Sequence, residues 1–342
     1  MPPTTVPLSP AARRLVDELL DEVADTSNRR FIDELLQTSL AMAKDDADTL
    51  DLKIASAALK EMREAFRTFA PYRHIPKVTI FGSARTQPDD PLYAQARAVA
   101  KALADKGWMV VTGAGPGIMA AGMEGAGREH SFGVNIRLPM EQGANPIIAH
   151  DDKLVSMKYF FTRKLMLIKE SKAFVCLPGG FGTLDETFEL ITLTQTGKGV
   201  PVPIVFLDTP GELYWDRVVR LIRDELLPRR LIEASDLELF TATDDITTAV
   251  DEIDRFYSNY DSLRFVGDVL VLRMKTAPSA AKLADLNVRF AALCESGSIT
   301  VTKPLREEVT DDDLLELARI KMNFAKRHFG ELRALIDALN EV

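Results

Sequence analysis

From Lys77 onward the chain repeats one habit: a short run of β-branched and other apolar residues, a glycine or polar break, then a longer run with helical spacing. The apolar runs are Val78–Phe81, Met109–Val111, Phe132–Ile136, Leu154–Ser156, Ala173–Leu177 and Val202–Phe206. Helices are expected near residues 92–106, 117–129, 158–171, 183–196 and 211–226. Strands that alternate with helices pair in parallel and are covered on both faces, so the pattern predicts an α/β fold with a doubly wound, Rossmann-like parallel sheet. Such a sheet keeps its ligands beyond the carboxyl ends of its strands, which directs attention to the segments leaving each strand.

One exit stands out. Pro178-Gly179-Gly180-Phe181-Gly182-Thr183-Leu184-Asp185-Glu186 follows the run that ends at Leu177 and opens the helical run Thr187–Thr196. Glycines let a backbone turn its N–H groups inward, and the helix start adds partial positive charge. An anion such as a phosphate would therefore be held largely by the main chain of Gly179, Gly180, Phe181, Gly182 and Thr183. On this segment alone two roles stay open for Glu186. Thr183-Leu184-Asp185-Glu186 has the form of a capping box, with Glu186 reaching back to the N–H of Thr183; or the acid faces whatever the anion is attached to.

Upstream, Met157-Lys158-Tyr159-Phe160-Phe161-Thr162-Arg163-Lys164 opens the helix before the strand that delivers the glycine turn. Arg163 belongs to a cationic stretch that could be plain wet surface, yet sheet order can bring it to the same carboxyl edge, where a guanidinium would bind phosphate or ribose oxygens. Lys164 projects about 100° away around the helix and is expected to support. Ser83, just after the first strand, either turns the chain or touches ligand.

The segment Pro178–Glu186 resembles the PGGxGTxxE signature of the Lonely Guy (LOG) family, phosphoribohydrolases often mislabelled as lysine decarboxylases. The Arg163-Lys164 pair resembles one that the family carries on a helix, and the spacing from Arg163 to Glu186 matches. Phe81-Gly82-Ser83-Ala84-Arg85 and Gly113-Ala114-Gly115-Pro116-Gly117-Ile118-Met119 also fit, so the resemblance covers roughly residues 75 to 260. It implies hydrolysis of the N-glycosidic bond of a nucleoside 5′-monophosphate, AMP or a cytokinin riboside monophosphate, to free base and ribose 5-phosphate. Arg163 and Glu186 would be catalytic. Ser83, Gly115, Gly117, Lys164 and the glycine turn would bind substrate, with no cofactor and no metal. Asn135 to Gln142 and Asn145-Pro146 resemble the strand-exit segment of longer bacterial members, whose loop would reach base or ribose. Compact members pair through this domain, so a homodimer or higher homo-oligomer is expected. Two other classes are weighed: a non-catalytic nucleotide-binding sensor or scaffold, and a PLP-dependent lysine decarboxylase, which the lack of a recognisable aldimine lysine disfavours.

Bulk properties narrow the field further. A net charge of −9 argues against a broad nucleic-acid surface, which needs a basic stripe. Cys176 and Cys294 have no metal-like spacing, nor do the histidines at 74, 130, 150 and 328, so neither a disulfide framework nor a metal site is expected. Gly113-Ala114-Gly115-Pro116-Gly117 reads G-x-G-x-G, and Asn135 stands where a nicotinamide site would want an acid. Residues 1–10 hold four prolines and no apolar core of a signal peptide, and no window is long enough to span a membrane, so a cytoplasmic protein is expected.

The flanks differ in character, and three parts are expected: an N-terminal helical segment (1–74), the nucleotide-binding domain (75–260) and a small α+β appendage (261–342). Ser9-Pro10 reads as a helix start, a second helix is expected over Arg29–Lys44 and a third near Ala47–Ala70. The third carries Leu52, Leu59 and Phe66 in a narrow seam that fits either a short coiled-coil contact or packing within the chain. In the appendage the expectation is a strand over Leu263–Met274, a helix over Ser279–Cys294, a strand over Ser298–Thr302 and a long helix over Asp311–Asn340.

Overall fold

The computed structural model describes residues 9–23, 28–137 and 143–341, and the chain divides into compact units at residues 1–63 and 64–342. The first eight residues and the part of the strand-exit segment from Leu138 to Gln142 lie outside the described residues. In the first unit α1 (Pro10–Val23) and α2 (Arg29–Lys44) are followed by α3 (Thr49–Phe69), which runs on into the second. Ser9 Oγ accepts the N–H of Ala12 at 3.2 Å, as a helix start requires. Val16 and Leu20 bury against Leu36, while Leu52 and Leu59 on α3 stay exposed.

The second unit begins with β1 (Lys77–Phe81), α4 (Pro91–Asp105), β2 (Met109–Thr112), α5 (Ile118–Ala126), β3 (Ser131–Ile136) and β4 (Leu154–Met157). It continues with α6 (Phe160–Lys169), β5 (Ala173–Cys176), α7 (Phe181–Gln195), β6 (Ile204–Leu207), α8 (Tyr214–Leu221), β7 (Thr241–Thr243) and α9 (Ile246–Phe256). The seven strands pair in parallel in the order β4-β3-β2-β1-β5-β6-β7. Every residue of β1, β2, β5 and β6 is buried, the pattern of a sheet covered on both faces. The doubly wound α/β expectation therefore holds. β7 is an addition: three partly exposed residues at the sheet edge give almost no hydrophobic run to read.

The chain builds outward from β1 to β4, then returns to lay β5 on the other side of β1. Phe81 and Cys176, the last residues of β1 and β5, are register partners. The sheet changes direction between these two strands, so the loops that leave them diverge and open a crevice at their carboxyl ends.

The remainder forms β8 (Tyr260–Val266), β9 (Val269–Met274), α10 (Ala280–Arg289), β10 (Cys294–Thr302), α11 (Arg306–Thr310), β11 (Ala318–Phe324) and α12 (Phe329–Asn340). Its four strands are antiparallel in the order β10-β11-β9-β8. Three expectations need correction. The single strand over Leu263–Met274 is a hairpin, because Val266 pairs with Val269 across Gly267-Asp268 and Gly267 takes a φ of +60° suited to a tight two-residue turn. The long helix over Asp311–Asn340 is a strand followed by a helix: Ile320, Met322 and Phe324 alternate into the core with period two. Cys294 begins β10 rather than ending a helix.

α12 joins the small sheet to the large one. Leu332, Leu335, Ile336 and Leu339 pack with Leu270, Leu272 and Ile320, while Arg333 pairs with Glu252 on α9. Among the described residues no helix is long and apolar enough to cross a membrane.

Candidate active site

A cleft of about 830 Å³ opens at the β1/β5 exit. Its floor and walls include Ser83 and Arg85 after β1, Gly113 after β2, Phe160, Arg163 and Lys164 on α6, Gly179 to Glu186, and Tyr214 on α8. Five crossovers thus converge on one place, as a parallel sheet dictates.

The glycine turn enters α7 three residues earlier than the capping-box reading requires. The helix starts at Phe181 with Gly180 as its N-cap and no side-chain cap. Leu184 N–H is the first to close an intrahelical bond, to Gly180 O at 3.1 Å. The N–H groups of Phe181, Gly182 and Thr183 are therefore the orphan donors that every helix start leaves over. Ser83 N–H holds the carbonyl of Pro178 at 3.3 Å, and the Tyr214 hydroxyl donates to the carbonyl of Gly179 at 2.8 Å. A Cβ on Gly179 would come 2.2 Å from Thr183 Oγ1, so only glycine permits this closure.

Because the helix starts at Phe181, Glu186 sits in its second turn, out of capping position. Its Oε1 instead accepts from Arg163 Nη1 at 2.8 Å. Arg163 is buried, and its Nε donates to Val134 O on β3 at 3.0 Å. The guanidinium also leans on Gly113, where a Cβ would fall 2.0 Å from Nη2. Three elements thus fix one cation: α6 carries it, β3 orients it and the glycine after β2 makes room. Burial pushes the Glu186 carboxyl above its usual value of 4.5, against the opposing pull of Arg163 and Lys164.

Lys164 bridges Asp185 at 2.7 Å and Glu189 at 2.5 Å. Burial alone would depress its ammonium, but the two carboxylates outweigh that and raise it. It braces α6 against α7 and stays charged. Cys176 is buried directly below the turn and its thiol is pushed up to about 12 by burial, so it is no nucleophile.

Of the residues singled out from sequence, Ser83, Arg163, Lys164, Gly179, Gly180, Phe181, Gly182, Thr183 and Glu186 all line the cleft. Gly115 and Gly117 stand one layer behind it. Gly117 has a φ of +65°, and a Cβ there would meet Ser83 O at 2.3 Å; it lets the start of α5 press against the β1 exit, where Ile118 N–H bonds Ser83 O at 3.0 Å. Gly115 O accepts from Asn145 Nδ2 at 3.1 Å, which places Asn145 in the support of that loop. The sequence reading names Gly113, Phe160 and Arg85 within its motifs but gives them no site role, and it does not name Tyr214. Their position at strand exits was the available signal for Gly113 and Arg85. Tyr214 lies seven residues beyond β6, and nothing local marks its reach to Gly179. Among the described residues no group of three or more His, Cys, Asp or Glu side chains could hold a metal ion.

Comparison with known proteins gives four findings. A family model described as "possible lysine decarboxylase" matches residues 116–253. A cytokinin riboside 5′-monophosphate phosphoribohydrolase of Mycobacterium marinum is 33% identical over 130 residues, covering 38% of this chain and 68% of the relative. One of the same name from Mycobacterium tuberculosis is 33% identical over 115 residues, covering 33% of this chain and 60% of the relative. The chain spans 68% of the Mycobacterium marinum relative and 40–60% of the length of the next three. Among solved structures, the molybdenum cofactor carrier protein of Chlamydomonas reinhardtii aligns over 53% of this chain and 97% of its own, with 18% identity and a TM-score of 0.35.

Proposed function

The chain belongs to the Lonely Guy family of phosphoribohydrolases, and from that premise we propose that it hydrolyses the N-glycosidic bond of a nucleoside 5′-monophosphate, releasing free base and ribose 5-phosphate. AMP is the first substrate to try, and cytokinin riboside monophosphates are the second. The observation that carries this reading is the Arg163–Glu186 contact of 2.8 Å at the open end of a glycine turn with unused N–H groups.

The chemistry follows from charge. Breaking an N-glycosidic bond leaves positive charge on the ribose ring, so an anion beside the ring stabilises the transition state more than the substrate. Glu186 is that anion, and it also orients or deprotonates the attacking water. The turn grips the 5′-phosphate and fixes the sugar against Glu186, converting distant binding into positioning. Arg163 opposes the loss of charge that burial favours at Glu186 and offers its remaining N–H groups to ribose or phosphate oxygens.

The lysine decarboxylase description finds less support. Forming an aldimine needs a neutral amine, and Lys164 in the cleft is instead raised by Asp185 and Glu189. The deciding experiment is a panel of 5′-monophosphates and their parent nucleosides, assayed for liberated base. Release from monophosphates, with little from nucleosides, is expected. Intact AMP after long incubation, with stoichiometric binding, would replace hydrolysis by a sensor role.

A further inference from the structure

The orphan N–H groups of a helix start can point at an anion only if the carbonyls that precede them point elsewhere. A carbonyl oxygen turned toward the phosphate would repel it. Gly179-Gly180 is the peptide unit most able to turn the wrong way, because neither residue has a Cβ to bar the flip. In a trans peptide the C=O and N–H groups are antiparallel, so holding the carbonyl on one side aims the N–H to the other. The Tyr214 hydroxyl holds that carbonyl at 2.8 Å.

Tyr214 is itself fastened. Trp215 N–H donates to Asp208 Oδ2 at 2.9 Å, Trp215 stacks on Phe206 with ring centroids 4.3 Å apart, and the Tyr214 ring meets Trp215 edge-on. The end of β6 therefore fixes where α8 begins, and α8 fixes the hydroxyl. Burial raises the Tyr214 phenol above its usual value, so it remains a donor across the neutral range.

We propose that Tyr214 is a positioning residue that locks the Gly179–Gly180 peptide in its anion-binding orientation and so sets the affinity of the cleft for the phosphate group. This deepens the phosphoribohydrolase reading, on which it rests for the identity of the phosphate-bearing ligand. It makes a claim that general support of the fold would not: removing one hydroxyl should weaken only ligands that carry a phosphate.

The test is equilibrium titration of wild type and Tyr214→Phe with AMP, ribose 5-phosphate and adenosine. The variant should bind AMP and ribose 5-phosphate about 3- to 10-fold more weakly, the usual worth of one hydrogen bond, with adenosine affinity unchanged. Unchanged affinity for the two phosphates, or an equal loss for all three ligands, overturns the proposal. So does a wild type that binds adenosine as tightly as AMP. A wild type that binds ribose 5-phosphate tightly yet releases no base from any monophosphate would defeat the hydrolase reading alone, leaving the role of Tyr214 to be decided by the same affinity ratio.

Discussion

Arg163 reaches from α6 to place Nη1 2.8 Å from Oε1 of Glu186 on α7, while its Nε is pinned to Val134 O on β3. The pair is almost wholly buried, with side chains 10% and 15% exposed. A surface ion pair of this length would be worth little. Here the arginine opposes the rise that burial imposes on the acid, and the acid is left facing the cleft.

Glu186→Gln keeps the shape of the side chain and removes its charge. If the carboxylate stabilises charge on the ribose or activates water, base release from AMP should fall on the order of 10²- to 10⁴-fold. AMP binding should persist, because the glycine turn is untouched. Chromatography of released adenine beside a binding titration separates the two, and wild-type turnover in the variant would remove Glu186 from the mechanism.

The pH profile carries the same signature. Burial lifts Glu186 above 4.5 and its ionised form does the work, so activity should fall with acid along a limb centred above that value. Arg163→Met deletes a positive charge that opposes the rise, and the limb should move further toward neutral pH. A profile of kcat/KM against pH for both proteins checks this; identical limbs would mean that another group titrates.

Much of this site could be read from the sequence because its signals are local. The glycine run, its place after an apolar strand and the position of Arg163 early in the preceding helix each need only a few residues to recognise. What stayed hidden is tertiary or ambiguous in period. Gly180 ahead of Phe181 offers no capping side chain, so the segment alone also fits a helix start at Thr183 with Glu186 as a cap, the alternative that the register denies. Leu314 to Leu339 can be threaded onto one helical face, although Ile320, Met322 and Phe324 also alternate, and only pairing with β9 selects the strand. Tyr214 reaches the turn from the next crossover, a contact that no sequence spacing encodes.

Gly117→Ala tests how strictly the β1 exit is packed. The new Cβ would lie 2.3 Å from the backbone oxygen of Ser83, in a residue held at a φ of +65°. Neither partner is a flexible side-chain end, so a loss of about 1–3 kcal/mol in stability is expected. Denaturant unfolding measures it. Because Ser83 N–H also holds Pro178 O, AMP affinity should drop in the same variant.

Glu308 sits fully buried beneath the small sheet, where Arg273 donates to its Oε1 at 2.8 Å and Arg319 approaches at 3.3 Å. Burial alone would raise its carboxyl, but Leu305 N–H and the two arginines hold it below the usual 4.5. A folded value below the unfolded one means the stabilisation is complete above about 4.5 and is lost as pH falls through the depressed value. Glu308→Gln would leave the buried Arg319 without a carboxylate partner, while Arg273 keeps Asp313 at 2.6 Å, and should cost about 3–5 kcal/mol at neutral pH. It should also flatten the acid dependence: wild type loses melting temperature as pH falls below about 4.5 and through the depressed value, whereas the variant, left with Asp313 but not Glu308 to protonate, loses less. Thermal melts across that range decide it, and parallel curves would show that acid sensitivity arises elsewhere.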